Sequence, residues 1–300
     1  MKTNEINIRD PFVLLDGDTY YMYGTRGPRC WGNDDGLDCY YSRDLEEWTG
    51  PVEVFHKPEG FWADQNYWAP ECHRYQEKYY IFASFKSDGV CRGTQILKAD
   101  HPLGPFQIHS ETPVTPKEWE CLDGTLYIDS GQVPYIVFCH EWVQIGDGEV
   151  CAMMLSQDLK TSVGEPKVLF RASEAPWIKK LDTDRLGKDV ECYCTDGPFM
   201  YRCQDGSLLM LWSSFGEEGY TEAIAKSGNG DITGKWEQEP KLLFKKDGGH
   251  GMLFKTKEGA LMLSLHSPNE TLKERPVFYK IQEEDGKLFK GEQDEQYTDN

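Results

Sequence analysis

Five short phrases hold the residues best suited to chemistry: Arg9-Asp10-Pro11, Trp68-Ala69-Pro70-Glu71, Leu122-Asp123-Gly124, Thr195-Asp196-Gly197-Pro198 and Gly249-His250-Gly251. Each opens an apolar, strand-like run. An isolated Asp before a strand commonly caps a turn, and that explanation suffices for Asp16 and Asp205, which adjoin turn glycines. It is less satisfying for Asp10, Asp123 and Asp196, which hold matching places in three separate runs. Carboxylates gathered around one pocket suit acid–base hydrolysis of a glycosidic bond. One must keep its proton to release the leaving oxygen, and another must be ionised to activate water. Burial and mutual repulsion push such groups apart in pKa, so a third can tune the pair.

The elements that must position these residues repeat. Five times an apolar strand meets a short turn and then an aromatic-rich strand: Pro11–Leu15 with Thr19–Gly24, Ala69–Tyr75 with Tyr79–Ser84, Leu122–Ile128 with Pro134–Cys139, Gly197–Arg202 with Leu208–Ser214, and Gly251–Lys255 with Ala260–Leu265. A second, less apolar strand pair follows each. Cys39–Leu45 and Met153–Leu159 share the phrase strand-Ser-x-Asp-Leu. No unit carries a long amphipathic helix. Four-stranded units recurring roughly every 60 residues are the signature of propeller blades. The expected fold is therefore all-β: a single five-bladed β-propeller over residues 1–300, with four-stranded antiparallel blades. A β-sandwich would explain the strands but not the fivefold rhythm.

In a propeller the first strand of each blade lines the axis, and all five run the same way. The residues opening these strands form a ring at one mouth: Asp10, Glu71, Asp123, Asp196 and His250. The second strand runs back, so its end joins them: Arg26, Lys86, His140, Glu141, Trp142, Phe215 and His266. Trp31, Trp68, Trp142 and Phe215 are candidate stacking faces for a sugar, with blade packing an even alternative for each. Arg275 either reaches the mouth or pairs on the surface.

Composition narrows the partners. The chain has 300 residues, 39% of them hydrophobic, and a formal net charge of −19. Such a charge argues against nucleic acid and anionic membrane as partners, and no apolar run is long enough to span a bilayer. The first residues contain no signal-like apolar run. The 10 cysteines are scattered without a zinc ligand pattern, which reads as reduced thiols and a cytoplasmic location. The sequence leaves the oligomeric state open.

The five phrases, in this order and spacing, resemble glycoside hydrolase family 43, and the resemblance covers nearly the whole chain. It implies an inverting enzyme, in most members directed at arabinofuranosides or xylosides. Asp10 would be the general base, and Asp123 the residue that orients the acid and raises its pKa. His250 resembles the axial histidine that lies near a calcium or sodium ion in many members; no cofactor is otherwise required. The family's acid is usually Glu in Glu-Gly-Pro, where this chain has Asp196. Asp is one methylene shorter, so Glu141 is the alternative acid and Glu191 a weaker one. The remaining candidate sugar-binding residues are Trp68, Glu71, His140, Trp142, Phe215, His250 and Arg275. The resulting expectation is an exo-acting hydrolase releasing terminal arabinofuranose or xylose from a carbohydrate substrate. A sugar-binding propeller that has lost catalysis is the alternative. A phosphorylase would need a cationic cluster for phosphate, for which Arg26, Lys86 and Arg275 are too few. A protein-interaction propeller would not need acids at its ring.

Overall fold

A computed structural model describes residues 1–291 and shows five four-stranded antiparallel sheets, each built from consecutive strands. Blade 1 comprises β1 (Ile8–Asp16), β2 (Thr19–Arg26), β3 (Gly36–Ser42) and β4 (Trp48–His56). Blade 2 comprises β5 (Gln65–Tyr75), β6 (Lys78–Ser87), β7 (Val90–Ala99) and β8 (Gln107–Ile108). Blade 3 comprises β9 (Cys121–Ile128), β10 (Pro134–His140), β11 (Glu149–Leu155) and β12 (Ser162–Arg171). Blade 4 comprises β13 (Asp196–Arg202), β14 (Leu208–Gly216), β15 (Gly219–Ser227) and β16 (Trp236–Gln238). Blade 5 comprises β17 (Gly249–Lys255), β18 (Leu261–Ser267), β19 (Arg275–Glu284) and β20 (Lys287–Lys290). The expected propeller and its blade count are present. The last nine residues of the expected 1–300 domain lie outside the described residues.

The repeating hairpins form because β-branched and aromatic residues alternate around turns that admit left-handed backbone. Gln76 and Glu77, both at positive φ, join β5 to β6 in a two-residue loop between Tyr75 and Lys78. Adjacent blades pack face to face through aromatic and aliphatic side chains. Fully buried Trp212, for example, meets Phe170 and Trp177 at centroid distances of 5.2 and 5.0 Å. Among the described residues, no strand is shared between the first and last blades. Instead β1 lies against β17 and β18, and Arg9 forms an ion pair with buried Glu274 at 2.8 Å.

Candidate active site

Every innermost strand is interrupted at the same point. In β1 the register jumps between Arg9 and Phe12, so Asp10 and Pro11 face the single residue Gly24. Equivalent jumps place Ala69-Pro70, Asp123-Gly124, Gly197-Pro198 and His250-Gly251 opposite single residues. The first residue of each pair is left-handed, with φ of 56°, 44°, 56°, 50° and 56° from blade 1 to blade 5. These are β-bulges, which re-aim side chains near a rim.

The ring at the mouth is therefore Asp10, Ala69, Asp123, Gly197 and His250. This corrects two expectations. Glu71 lies two residues beyond its bulge, is buried, bonds His73 Nε2 at 3.0 Å and does not line the mouth cavity. Asp196 lies one residue before its bulge yet does line the cavity. The physical reason is that a bulge adds one residue, so alternation read along the strand loses its register there.

The bulge also exposes a backbone N–H that the ladder cannot satisfy, and a side chain from the preceding blade accepts it. Asp10 N–H donates to His266 Nδ1 (3.1 Å), Ala69 N–H to Thr25 Oγ1 (2.8 Å), Asp123 N–H to Ser84 Oγ (2.9 Å) and His250 N–H to Ser213 Oγ (2.7 Å). Thr25, Ser84, Ser213 and His266 hold equivalent places on the second strands. Blade 3 has Cys139 there, and a thiol is a weak acceptor. Gly197 N–H instead donates to Asp123 Oδ2 at 3.0 Å. That bond ties Asp123 to the residue following Asp196.

A cavity of about 620 Å³ opens above this ring, walled by all five blades. Asp10 accepts from Thr25 Oγ1 at 2.6 Å and lies 3.1 Å from His250 Nδ1. Burial alone would raise its carboxyl, but His250, His266 and then Arg9 outweigh that and hold it far below the usual carboxylate range. Asp123 goes the other way. Burial, with Asp196 and Asp10 close by, pushes it up to about 7 against the pull of His250. His250, 3.1 Å from Asp10 and 3.8 Å from Asp123, is raised to about 9 because these acids outweigh its burial. Asp196 is half-buried and accepts from Tyr220 Oη at 3.0 Å. The site thus holds one carboxylate fixed as an ion, Asp10, beside a buried carboxyl, Asp123, that keeps its proton more readily.

Glu141 lines the cavity too, but its Oε2 is bound by Arg92 Nη1 within a buried ion pair. Burial raises this carboxyl, with Arg92 pulling against it and Asp196 adding to it. Arg92 also lies 4.2 Å from the centre of the Trp68 ring. Trp68, Trp142 and Phe215 line the cavity, and Trp31 stands on its rim at 61% exposure, edge-on to Trp68. His140 does not line it. Its ring stacks on Trp119 at 4.1 Å and is held by Glu149 and Gln144. Nor does Arg275, which is spent on the carbonyls of Asn4, Leu272 and Glu274. Glu191 is exposed beside Tyr193 and Lys180. Arg26 points into a nest of Asp34, Asp35, Asp38 and Glu53 rather than the mouth.

Arg9, Arg92 and Tyr220 belong to the site although the strand rhythm did not single them out. Arg92 and Tyr220 open the third strands β7 and β15, which start at the same mouth where the second strands end. That geometry was the available signal. His250 Nδ1 is committed to Asp10, and the only three-donor group of His, Cys, Asp and Glu among the described residues is Asp35, Glu53 and His56 near the surface.

The sequence matches the model of glycosyl hydrolases family 43 over residues 4–287. The chain belongs to this family. Its fold superposes on an endo-arabinase from Bacteroides thetaiotaomicron VPI-5482 with a TM-score of 0.88 and 42% identity, covering 96% of this chain and 98% of that one. It is 24% identical over 71% of its length to the extracellular exo-α-(1→5)-L-arabinofuranosidase ArbA of Cellvibrio japonicus (strain Ueda107). It is 30% identical over 47% of its length to extracellular endo-α-(1→5)-L-arabinanase 1 of Bacillus subtilis (strain 168). Those alignments span 60% and 45% of the two curated proteins. Within the family 43 frame, the aspartate at 196 and the ion-paired Glu141 are the features of this site that most need a mechanistic account.

Proposed function

We propose that this family 43 protein is an inverting glycosidase that cleaves α-L-arabinofuranosyl linkages in arabinan-type oligosaccharides. The observation carrying the reading is the axial set of Asp10, Asp123 and Asp196 on one cavity, with Asp10 held ionised and Asp123 raised to about 7. Asp10 takes a proton from water as the water oxygen attacks the anomeric carbon. Asp196 gives its proton to the leaving oxygen as the glycosidic bond breaks, and solvent restores both groups. Asp123 orients Asp196 through the hydrogen bond it accepts from the Gly197 N–H. Glu141 is a sugar-binding residue, because its oxygen is already engaged by Arg92. Trp68, Trp142 and Phe215 offer ring faces to the sugar.

Exo action is supported by the depth of the axial cavity, whose lining draws on residues of all five blades. Endo action is the second reading, favoured by the endo-arabinase at 42% identity. A cytoplasmic location is supported by the cysteines, all ten free and nine buried, as a reducing compartment allows; both curated relatives are named as extracellular. The test is a panel of nitrophenyl arabinofuranosides and xylosides together with linear arabino-oligosaccharides, analysed by chromatography at early times. Arabinose released alone supports exo cleavage, and a ladder of oligomers supports endo cleavage. No turnover of any arabinoside sinks the proposal and returns weight to a binding module.

A further inference from the structure

One carboxyl group near the axis has no part in this mechanism. Glu222, on β15, is fully buried and faces Ser213 of β14 across the ladder. Its Oε1 has no hydrogen-bond partner. Burying an incompletely paired carboxyl is costly, and an apolar side chain would be cheaper there. Its other oxygen is fully engaged. Ser213 Oγ donates to Glu222 Oε2 at 2.6 Å, and Gly251 N–H donates to the same oxygen at 2.8 Å. Ser213 Oγ in turn accepts His250 N–H at 2.7 Å.

Both N–H groups of the blade 5 bulge therefore end on the Ser213–Glu222 pair. In blades 1, 2 and 4 the second bulge residue is Pro11, Pro70 or Pro198, with no N–H to satisfy. Blade 5 has Gly251, and a Cβ there would lie 2.9 Å from Glu222 Cδ. The carboxyl thus fills the space a side chain on Gly251 would take. What the bulge carries is the imidazole of His250, set between Asp10 and Asp123.

We infer that Glu222 is a positioning residue of the active site, whose Oε2, together with Ser213, holds the blade 5 bulge so that His250 sits between Asp10 and Asp123. Its catalytic consequence rests on the hydrolase reading above; its structural consequence does not. Burial pushes Glu222 up to about 7, against Ser213, Gly251 and His250. Near neutrality it contributes an acceptor oxygen rather than a constant charge. An amide keeps that acceptor, so Glu222→Gln should serve where Glu222→Ala fails.

The test compares Glu222→Gln, Glu222→Ala and Ser213→Ala in the full chain. The readouts are thermal unfolding, kcat and KM on an arabinoside, and the downfield proton resonance of the His250 imidazole N–H bonded to Asp10, assigned by its loss in His250→Asn. Glu222→Ala is expected to lose about 10- to 100-fold in kcat with KM nearly unchanged, as small displacements in an active site do, and to shift or lose the resonance. Glu222→Gln is expected to keep both within about twofold. A folded Glu222→Ala with wild-type kcat and resonance overturns the inference, as does Glu222→Gln failing as badly as Glu222→Ala. If Glu222→Ala does not fold, Ser213→Ala decides: a displaced resonance upholds the role and an unchanged one refutes it. A wild-type chain that cleaves no arabinoside ends the hydrolase reading, while the resonance still decides whether Glu222 holds His250.

Discussion

Gly197→Ala offers a sharp test of how the ring is packed. Gly197 lies at φ +50°, and a Cβ built there would stand 2.7 Å from Cδ2 and 2.8 Å from Cγ of His250. Carbon atoms pack at about 3.5–4.0 Å, so the imidazole must move by roughly 1 Å. Two costs combine. An L-residue in left-handed backbone costs about 1 kcal/mol more than glycine. Displacing the ring weakens a charged hydrogen bond to Asp10 worth about 1.5–3 kcal/mol. The expected loss is about 2.5–4 kcal/mol, together with a fall in kcat because His250 leaves Asp10 and Asp123. Gly17→Ala is the control: φ is +58°, and no atom lies within 4 Å of the added Cβ, so only the backbone cost of about 1 kcal/mol applies. Urea unfolding of both variants measures the difference, with an unchanged m-value showing that the transition is comparable. Equal losses in the two variants, or full activity in Gly197→Ala, would refute the account of the ring given above.

Asp10→Asn is expected to fold normally and to lose about 10²–10⁴ in kcat, the usual worth of a general base; near-wild-type turnover removes Asp10 from the mechanism. Asp196→Asn should cripple cleavage of alkyl arabinosides and largely spare dinitrophenyl ones, since a good leaving group needs little acid help. Glu141→Gln should weaken both alike and also cost about 3 kcal/mol of stability, because Arg92 is left buried without its counter-charge; exchanged patterns would make Glu141 the acid. His250 is raised to about 9 from 6.5, so the folded chain keeps a proton that the unfolded chain releases between those values. Its stabilisation is complete below about pH 6.5 and drains as pH rises through about 9. Unfolding followed over that range should show a decline that His250→Asn flattens, and an equally steep decline in the variant would disprove the assignment. Proton NMR of the first product should show the inverted anomer, and retention would be fatal to the water-activating role of Asp10.

Strand rhythm alone determined the five blades, because two-residue alternation and hairpin turns are local properties that survive in any context. It also placed Asp10, Asp123 and His250 at one mouth, since parallel inner strands bring their starts together whatever the side chains do. Three things were decided only by tertiary structure. The bulge shifted the ring to Ala69 in blade 2 and Gly197 in blade 4, which sent Glu71 to His73 and left room for the His250 imidazole over Gly197. A bulge depends on which neighbouring blade can accept its loose N–H, and that is a contact between distant segments. Partner choice likewise withdrew Arg26, Arg275 and His140 from the mouth and brought in Arg92 and Tyr220, because a long polar side chain goes to whichever buried charge or carbonyl needs it. The protonation of the carboxyls was the last to be settled. Asp10 and Asp123 begin the same kind of strand in the same left-handed conformation, and only their distances to one His250 ring, 3.1 Å against 3.8 Å, and their different neighbours set them apart.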